Sequence, residues 1–270
     1  MKLIIEPGLT AANYWRDLWR YRELMYFLAW RDITVRYKQT VIGVTWALIR
    51  PALTMVVFVL FRRLAGIEHA PVPDVLLVLS AVIPWQFFAN SVTESSSSLI
   101  NNTNLISKVY FPRLIVPVSA VVTALVDLVI TLAMLALVMA WQQFTPGPQL
   151  LLLPLFVVLA CALSTGLGLF LAALNVEYRD FRYVVPFMIQ IGLFVSPIAF
   201  TTANIPERWK PLYALNPLVG VIDGFRWSIL GGRVPLDPYP LTLSVLTTIT
   251  FLGFGVWYFR RMERHFADVI

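Results

Sequence analysis

Charged residues, cysteine and histidine are all scarce in this sequence, and the shortage of charge excludes an ordinary soluble domain. Only 13% of the 270 residues are charged and 59% are hydrophobic, whereas a typical soluble domain has about 25% charged residues. A soluble fold of this length could not bury so much apolar surface, so the surplus must face lipid. The composition therefore predicts an all-α integral membrane protein.

The scarcity of metal-binding and nucleotide-binding residues excludes further classes. Cys161 is the only cysteine and lies in an apolar run, so neither an intrachain disulfide nor a cysteine metal cluster can form. His69 and His265 lie far apart along the chain, and no metal site is predicted. The phosphate-binding sequence GxxxxGKS/T and the hydrolase sequences GxSxG and HExxH are absent. We therefore expect no catalytic residue and no cofactor in this chain.

Six apolar segments are long enough to cross a bilayer, which takes about 20 residues in a helix. They are residues 41–61, 75–93, 114–140, 150–174, 184–200 and 241–259. A polar break at residues 142–149 separates the third segment from the fourth. We therefore divide the chain into an N-terminal segment, residues 1–40, and a transmembrane domain of six helices, residues 41–270.

The net charge of +6 lies mainly outside the predicted spans. Basic residues precede the first span, occupy the loops after the second and fourth spans, and follow the last span. Under the positive-inside rule, this distribution predicts that both termini are cytoplasmic. It also argues against nucleic-acid binding, because the positive charge flanks apolar spans.

Two further segments have helical patterns without being predicted to span. Residues 11–37 carry apolar residues at helical spacing, which favours an amphipathic helix on the membrane surface or against a partner protein. Between the last two spans, Asn-Pro signals predict short helices at residues 206–213 and 217–230. The second is apolar but too short to cross the bilayer, so it is either a re-entrant gate helix or a simple outer cap.

Arg50 and Asp127 are the charged residues placed deepest in the predicted spans. Each costs roughly 2.5–3.5 kcal/mol at the centre of a bilayer on insertion scales, so each is expected to have a partner. An Arg50–Asp127 ion pair is one interpretation. Extension of Arg50 to the cytoplasmic surface and direct contact with a substrate are the others.

Aromatic residues make up 14% of the chain, and several lie in the spans or in the outer segment. Most are expected to be interfacial anchors or packing residues, but a minority could form a track on which sugar rings stack. The candidates are Trp85, Phe88, Phe187, Phe194 and Trp227.

Two loops on the predicted inner side are candidates for contact with a partner. After the second span, Thr103 or Asn104 can cap a short two-turn helix that Pro112 ends. This helix is either a lever into a partner or a solvated connector. After the fourth span, a dense run of charges either pairs within itself or binds a partner loop. The residues concerned are Glu177, Arg179 and Asp180.

Short motifs along nearly the whole chain resemble, in order, those of ABC-2 type permeases for the export of O-antigen, capsular polysaccharide and teichoic acid. The motifs are RYKQTVIG at 36–43, WA at 46–47, RP at 50–51, IPWQFF at 83–88, NLI at 104–106, KVYFP at 108–112, NVEYRD at 175–180, YALNP at 213–217 and GFR at 224–226.

This resemblance implies a non-enzymatic permease subunit in the bacterial inner membrane. The subunit would form a homodimer with two copies of a separate ATPase, which binds the ATP and Mg²⁺, and would pass an undecaprenyl-linked polysaccharide between aromatic channel walls. Residues 11–37 would be the interface helix and residues 204–232 the gate, which contains Arg226. The residues that couple to the ATPase would be Thr103, Asn104, Leu105, Lys108, Val109, Tyr110 and Phe111, together with Glu177, Arg179 and Asp180.

Three other functions are compatible with a chain of this composition. The nearest is an ABC-2 permease for drugs or other small lipophilic substrates, although the short outer loops and the gate-like segment favour a glycan. A membrane-embedded glycosyltransferase would need an acidic cluster at a membrane face, and the loops lack one. A secondary transporter would be supported by inverted internal repeats, and no convincing repeat is present.

Overall fold

The structure of the protein, a computed structural model, describes residues 11–38, 43–67, 71–263 and 266. All regular structure in these ranges is helical, in agreement with the predicted all-α class. The helices are α1 (Ala11–Arg20), α2 (Arg22–Lys38), α3 (Gly43–Leu64), α4 (Asp74–Asn101), α5 (Thr103–Ile106), α6 (Ile115–Trp141), α7 (Leu153–Glu177), α8 (Phe181–Val195), α9 (Lys210–Tyr213), α10 (Leu218–Ile229) and α11 (Pro238–Met262). Short 3-10 turns lie at Pro148–Leu152, Thr202–Asn204 and Glu207–Trp209.

Within the described residues, four helical segments are long and apolar enough to cross a membrane. They are Asp74–Asn101, Ile115–Trp141, Pro148–Glu177 and Pro238–Met262. These segments confirm the predicted spans at 75–93, 114–140, 150–174 and 241–259 as candidate membrane helices. The first and fifth predicted spans fall on α3 and α8. Neither of these two helices is both long and apolar enough to count among the candidate membrane helices. Residues 41 and 42, at the start of the first predicted span, lie outside the described residues.

α4 continues for about two turns beyond the predicted end of the second span, through a serine-rich stretch that was expected to be a loop. The hydroxyl groups of Ser96 and Ser98 donate to the carbonyl groups of Thr93 and Ser95, at 2.8 and 2.7 Å. Ser95 lies against Gly168 of α7, where an added Cβ would be only 2.5 Å from the Ser95 Oγ. The loop prediction is wrong because serine hydroxyls that bond to their own helix can be buried between close helices.

α8 ends at Val195, before the predicted end of the fifth span at residue 200. Pro197 lacks an N–H and disfavours helical backbone at the preceding residue, and Ser196 is extended, with ψ 154°. Residues 196–199 are nevertheless buried. Irregular backbone at membrane depth requires partners inside the protein for its carbonyl groups.

Two buried arginines supply those partners. Arg226 of α10 donates from Nη2 to the carbonyl oxygen of Pro197 at 2.6 Å. Arg62, near the end of α3, donates from Nη1 to the carbonyl oxygen of Ala199 at 2.5 Å. The irregular segment after α8 is therefore held from two sides by charge-assisted hydrogen bonds, which are stronger than bonds between neutral groups.

Each of these arginines also has a carboxylate partner. Arg226 pairs with Asp223 of the same helix at 3.2 Å, and Arg62 pairs with Asp74 at the start of α4 at 3.2 Å. The two arginine side chains are at most 2% exposed, and a buried guanidinium without a counter-ion would be strongly destabilising. The network thereby joins α3, α4, α10 and the segment after α8 into one unit.

The segment between α8 and α11 contains one of its two predicted helices. The helix expected at residues 217–230 is present as α10, and Gly231 and Gly232 end it with φ of 64° and 74°. The helix expected at residues 206–213 is wrong in extent, because a 3-10 turn and the single turn α9 occupy this stretch. Pro211 lies in the first turn of α9 and cannot donate an N–H, which limits helix continuation from the N-terminal side.

The helix predicted over residues 11–37 is two helices, α1 and α2, which meet at Tyr21. Leu28 and Ala29 of α2 are buried, and α2 packs along α6. Several aromatic residues of α1 and α2 are exposed, among them Trp19 at 72% and Tyr26 at 68%. Residues 1–10 and 39–42 of the predicted N-terminal segment and of the first motif lie outside the described residues.

The helices are arranged around α4, which packs against α3, α6, α7, α8 and α10. α11 packs against α7 on the side of the bundle away from α4. The main hydrophobic core contains residues of α4, α6, α7 and α10. A second, smaller cluster lies at the end of the bundle where α4 ends and α6 begins.

α7 and α11 approach each other closely through glycine. A Cβ added to Gly255 would lie 2.1 Å from the carbonyl oxygen of Gly166, and a Cβ added to Gly166 would lie 2.6 Å from the backbone nitrogen of Leu252. Because these neighbours are backbone atoms of a packed helix pair, they cannot move aside as a side chain can. The contact between α7 and α11 therefore requires glycine at both positions.

We expect Gly255→Ala to destabilise the protein by roughly 1–3 kcal/mol, because overpacking forces the two helices apart. Gly253 of the same helix provides a matched control, since an added Cβ there meets no atom within 4 Å. Gly253→Ala should be neutral or stabilising by up to about 1 kcal/mol, because alanine favours the helix. Unfolding of the purified variants in detergent measures both effects, and equal stabilities would contradict the close contact.

Candidate functional site

The segment between α4 and α6 forms an exposed tip that rests on buried anchors. Val109 and Tyr110 are 50% and 63% exposed, whereas Ile106 and Phe111 on either side of them are buried. α5 is a single turn, Thr103–Ile106, and not the predicted two-turn helix; the chain then continues through an exposed turn to Phe111, whose ring is buried. Among the predicted coupling residues, Asn104, Lys108, Val109 and Tyr110 are exposed, Thr103 and Leu105 are partly buried, and Phe111 is buried.

The buried anchors belong to the smaller hydrophobic cluster, which we call the loop-end cluster. It brings together residues from α2, α4, α5, α6, α7 and α11. Its members include Leu28, Leu99, Ile106, Phe111, Leu114, Val176, Phe259 and Phe266. Close-packed interiors transmit displacement because they contain few voids, so a force on the exposed tip reaches α2, α7 and α11 through this cluster.

A polar contact ties the same end of α6 to the end of α11. The backbone N–H of Arg113 donates to the Glu263 carboxylate at 2.8 Å, and the Arg113 guanidinium donates to the Glu263 carbonyl oxygen at 2.9 Å. Burial raises the pKa of the Glu263 carboxyl, and the bond from Arg113 opposes that rise. The loop after the tip is thus fixed to the C-terminal helix by two hydrogen bonds.

A second exposed loop lies at the same end of the bundle, between α7 and α8. Glu177, Arg179 and Asp180 are exposed, while Val176 just before them belongs to the loop-end cluster. In the described part of the chain these three charges form no ion pair with one another. Tyr178, next to Glu177, is 51% exposed, so the loop presents charge and an aromatic ring together.

Asp127 of α6 has a partner, but it is not the predicted one. Its carboxylate pairs with Arg36 of α2 at 2.6 Å and accepts a hydrogen bond from the Tyr37 hydroxyl. Arg36 also pairs with Glu94 of α4 at 3.0 Å. Arg50 forms no ion pair within the described residues, so the predicted Arg50–Asp127 pair is wrong. The sequence pattern placed Asp127 correctly but did not show that α2 packs on α6.

Arg50 and Asp127 do face the same cavity, which has a volume of about 300 Å³. Helices α2, α3, α4 and α6 form its walls. The charged and polar side chains that line it are Arg36, Tyr37, Arg50, Gln86, Asn90, Glu94, Asp127 and Thr131. The indole of Trp46 and the apolar side chains of Ile83, Phe87 and Leu128 complete the lining.

The predicted channel aromatics do not form one group within the chain. Trp85 and Phe88 are buried in α4 and pack against each other, with ring centroids 6.0 Å apart. Phe187 and Phe194 of α8 are 62% and 69% exposed. Trp227 is partly buried on α10. Of the five predicted channel aromatics, Phe187 and Phe194 are therefore the two that present an exposed aromatic surface.

Arg226, predicted to lie at the channel or gate, is inside the protein. It is completely buried, and besides Asp223 and the Pro197 carbonyl it reaches the Leu77 carbonyl oxygen at 3.4 Å. Its role within the chain is to fix α10 against α4 and against the segment after α8. A gate role for the α10 hairpin as a whole stays a prediction.

Sequence reasoning did not identify four residues that the structure shows to be central: Arg36, Tyr37, Glu94 and Arg62. The first two belong to the motif at 36–43, where Arg36 was counted only as a flanking positive charge and Tyr37 was given no role of its own. Glu94 and Arg62 lie at the ends of predicted spans, where charges are ordinary. The available signal was one acidic residue within the third predicted span, Asp127, and one just after the second, Glu94, together with a cationic N-terminal segment.

Known proteins resemble this chain over almost its entire length. A family model described as ABC-2 type transporter matches residues 23–230. An O-antigen export system permease protein of Myxococcus xanthus is 29% identical over 259 residues, which cover 94% of this chain and 98% of that protein. A protein of the same description from Klebsiella pneumoniae is 24% identical over 249 residues, covering 92% and 95%. A capsule polysaccharide export inner-membrane protein of Neisseria meningitidis serogroup B is 21% identical over 257 residues, covering 92% and 94%.

We expect the Arg36–Asp127 pair to contribute to stability. Asp127→Asn should lower the free energy of unfolding by roughly 1–3 kcal/mol, because the loss of one partner leaves a partly buried guanidinium with less compensation. In a double-mutant cycle with Arg36→Met, the two effects should be non-additive by about 1 kcal/mol or more. Unfolding in detergent measures the cycle.

The matched control is a second double-mutant cycle, in which Arg50→Met takes the place of Arg36→Met. Arg50→Met lies on the same cavity but should combine additively with Asp127→Asn, because the two side chains are not paired. A large coupling in the Arg50 cycle and none in the Arg36 cycle would reverse the assignment made from the structure.

Proposed function

Because the chain belongs to the ABC-2 type transporter family, we propose that it is the permease subunit of an ABC transporter that exports a lipid-linked polysaccharide. The observation that carries the proposal is the end-to-end match with permease proteins of O-antigen export and with an inner-membrane protein of capsule export. The chain is a multi-pass protein of the inner membrane. In the proposed transporter it forms the path for the glycan, and a separate subunit hydrolyses ATP.

The proposed topology has six membrane-spanning helices with both termini in the cytoplasm. α3 has 22 residues, a length of about 33 Å, which is sufficient for a hydrocarbon core of about 30 Å. α8 has 15 residues, about 22 Å, and the buried segment 196–199 after it extends the crossing. The basic residues of the N-terminal helices, the tip and the α7–α8 loop then share the cytoplasmic side, as the positive-inside rule requires.

The exposed tip between α4 and α6 is the proposed contact with the ATPase subunit. Val109 and Tyr110 are apolar and exposed at an end of the bundle that carries the charged loop Glu177, Arg179 and Asp180. Exposed apolar groups rimmed by polar residues are typical of protein–protein interfaces. The loop-end cluster beneath supports this role, because it connects the tip to α2 and to the four membrane helices α4, α6, α7 and α11.

The glycan path is proposed to lie between two copies of the chain. Phe187 and Phe194 support this arrangement, because they present an aromatic surface on α8, and the electron-rich faces of such rings attract the C–H groups of sugars. α1 and α2 would lie at the cytoplasmic membrane surface as the interface helix, and the α10 hairpin would close the path on the outer side. The lipid carrier would remain in the bilayer while the glycan moves.

We expect Tyr110→Asp to abolish export while the protein still inserts into the membrane. A charged group at the centre of an interface replaces a contact residue, and hot-spot residues contribute about 2 kcal/mol or more, roughly a 30-fold change in affinity. The measurement is the amount of surface polysaccharide in a deletion strain that carries each variant, together with co-purification of the ATPase subunit.

Tyr239→Asp is the control for this experiment, because Tyr239 is also about half exposed but lies at the start of α11, at the opposite end of the bundle. It should leave the ATPase contact unchanged. Full export and full ATPase binding by the Tyr110 variant would contradict the docking role of the tip, and a deletion strain with unaltered surface polysaccharide would contradict the function.

A further inference from the structure

We propose that the cavity shared by Arg50, Asn90 and Asp127 is a binding site for a sugar unit of the transported glycan. The inference rests on the proposed function and adds to it a site of contact within one chain, apart from the path proposed between two copies. The volume of the cavity, about 300 Å³, is at the lower end of the range of small-molecule sites. It is therefore of a size suited to one or a few sugar rings.

The depth of this cavity makes its polarity costly unless it holds a polar occupant. Asp127 lies near the middle of α6 (Ile115–Trp141), a candidate membrane helix. Ionisable residues at such a depth are rare and face cavities or one another. The structure thus maintains a polar space among α2, α3, α4 and α6 where packed apolar side chains would be the less costly alternative.

Two polar side chains of the cavity lack partners in the described part of the chain. The side-chain amide of Asn90 makes no hydrogen bond there, and Arg50 makes neither a hydrogen bond from its guanidinium nor an ion pair. Gln86 has only a long bond, at 3.4 Å, to the Thr54 hydroxyl. Amide and guanidinium groups in this condition are available to an occupant, and they offer donors and acceptors side by side.

The balance of charge favours a neutral occupant over an anion. The cavity contains two guanidinium groups and two carboxylates, and Arg36 is already held by both Asp127 and Glu94. A phosphate group would meet a single uncommitted arginine and the repulsion of two carboxylates. Sugar hydroxyl groups can both donate to the carboxylates and accept from the amides and Arg50, so a polyhydroxylated ring satisfies the whole set.

One wall of the cavity suits the apolar face of a sugar. Trp46 lines the cavity and its side chain is 57% exposed. The negative face of an aromatic ring attracts positively polarised C–H groups, which a pyranose ring presents on its flat sides. An aromatic ring opposite planar polar side chains is the combination that distinguishes a sugar from water or a simple ion.

A second cavity provides a polar route to this site from the end of the bundle where the loop-end cluster lies. It has a volume of about 460 Å³, is lined by Arg31 and Asp32 among others, and shares Arg36 and Glu94 with the first cavity. Arg31 bonds to Asn102 at 2.9 Å, which places the second cavity beside the tip. The Arg36–Glu94 pair therefore stands between an entrance near the loop end and the deeper site.

Photo-crosslinking in the native host tests the site directly. A benzophenone amino acid replaces Asn90 in the cavity or, as a control, Leu137 of α6, which is 73% exposed and does not line the cavity. The probe is the host's own glycan, detected in the crosslinked protein by periodate oxidation and hydrazide staining of vicinal hydroxyl groups. We expect a periodate-positive adduct at position 90 and none at position 137.

Substitution provides the second measurement. Asn90→Leu should lower the rate of glycan export by roughly 2- to 10-fold, the effect of one lost hydrogen bond, while Val129→Leu on the exposed side of α6 should not change it. Both variants should bind the ATPase subunit normally. Unaltered export with Asn90→Leu, or an adduct at position 90 that contains lipid phosphate without sugar, would overturn the site.

The deletion strain separates this inference from the proposed function. If the deletion removes surface glycan but position 90 gives no glycan adduct, the chain is an exporter and the cavity is not a sugar site. If the deletion strain retains its surface glycan, the proposed function itself fails.

Discussion

The structure depends on internal partners for the largely buried charges Arg62, Asp127 and Arg226 and for the irregular carbonyl groups after α8. Lipid offers none, so each must be found among side chains. Arg226 and Arg62 meet this constraint where the backbone is irregular after α8, and Asp223 and Asp74 neutralise them. Without this network the short helix α8 could not be followed by a turn inside the bundle, and α10 would not be fixed against α4 and the segment after α8.

The same constraint explains why α2 lies along α6. Arg36 reaches Asp127 and Glu94 from a helix that precedes the first predicted span. These pairs attach the N-terminal helix to the middle of the bundle, while Leu28 attaches it to the loop-end cluster. A displacement of the tip would therefore reach both the membrane helices and the N-terminal helix, and the Arg36 pairs line the polar cavity.

Much of the fold followed from the sequence because hydropathy alone determines where long apolar helices occur. Four of the six predicted spans are candidate membrane helices, and the α10 helix was predicted within one residue at either end. The extents of α4 and α8 were wrong, since serines bonded to their own helix were read as a loop and the effect of Pro197 on Ser196 was not considered.

Side-chain pairing was less predictable than helix position, because it depends on how helices pack rather than on local pattern. Asp127 was recognised as a buried charge, but its partner Arg36 comes from a helix whose packing no periodicity encodes. Trp85 and Phe88 were grouped with Phe187 and Phe194 as channel residues, yet the first two are buried in the core and the last two are exposed. Aromatic composition does not distinguish these environments.

We propose that this chain provides the path and the moving elements while a different subunit hydrolyses ATP. Nucleotide hydrolysis by the purified chain in lipid nanodiscs, with and without the ABC ATPase subunit of the same organism, separates these two roles. We expect no hydrolysis by the chain alone. When the ATPase subunit is added, we expect hydrolysis, and Tyr110→Asp should break its coupling to export. Hydrolysis by the chain alone, or the absence of binding to that ATPase subunit, would show that the chain is not a separate permease subunit.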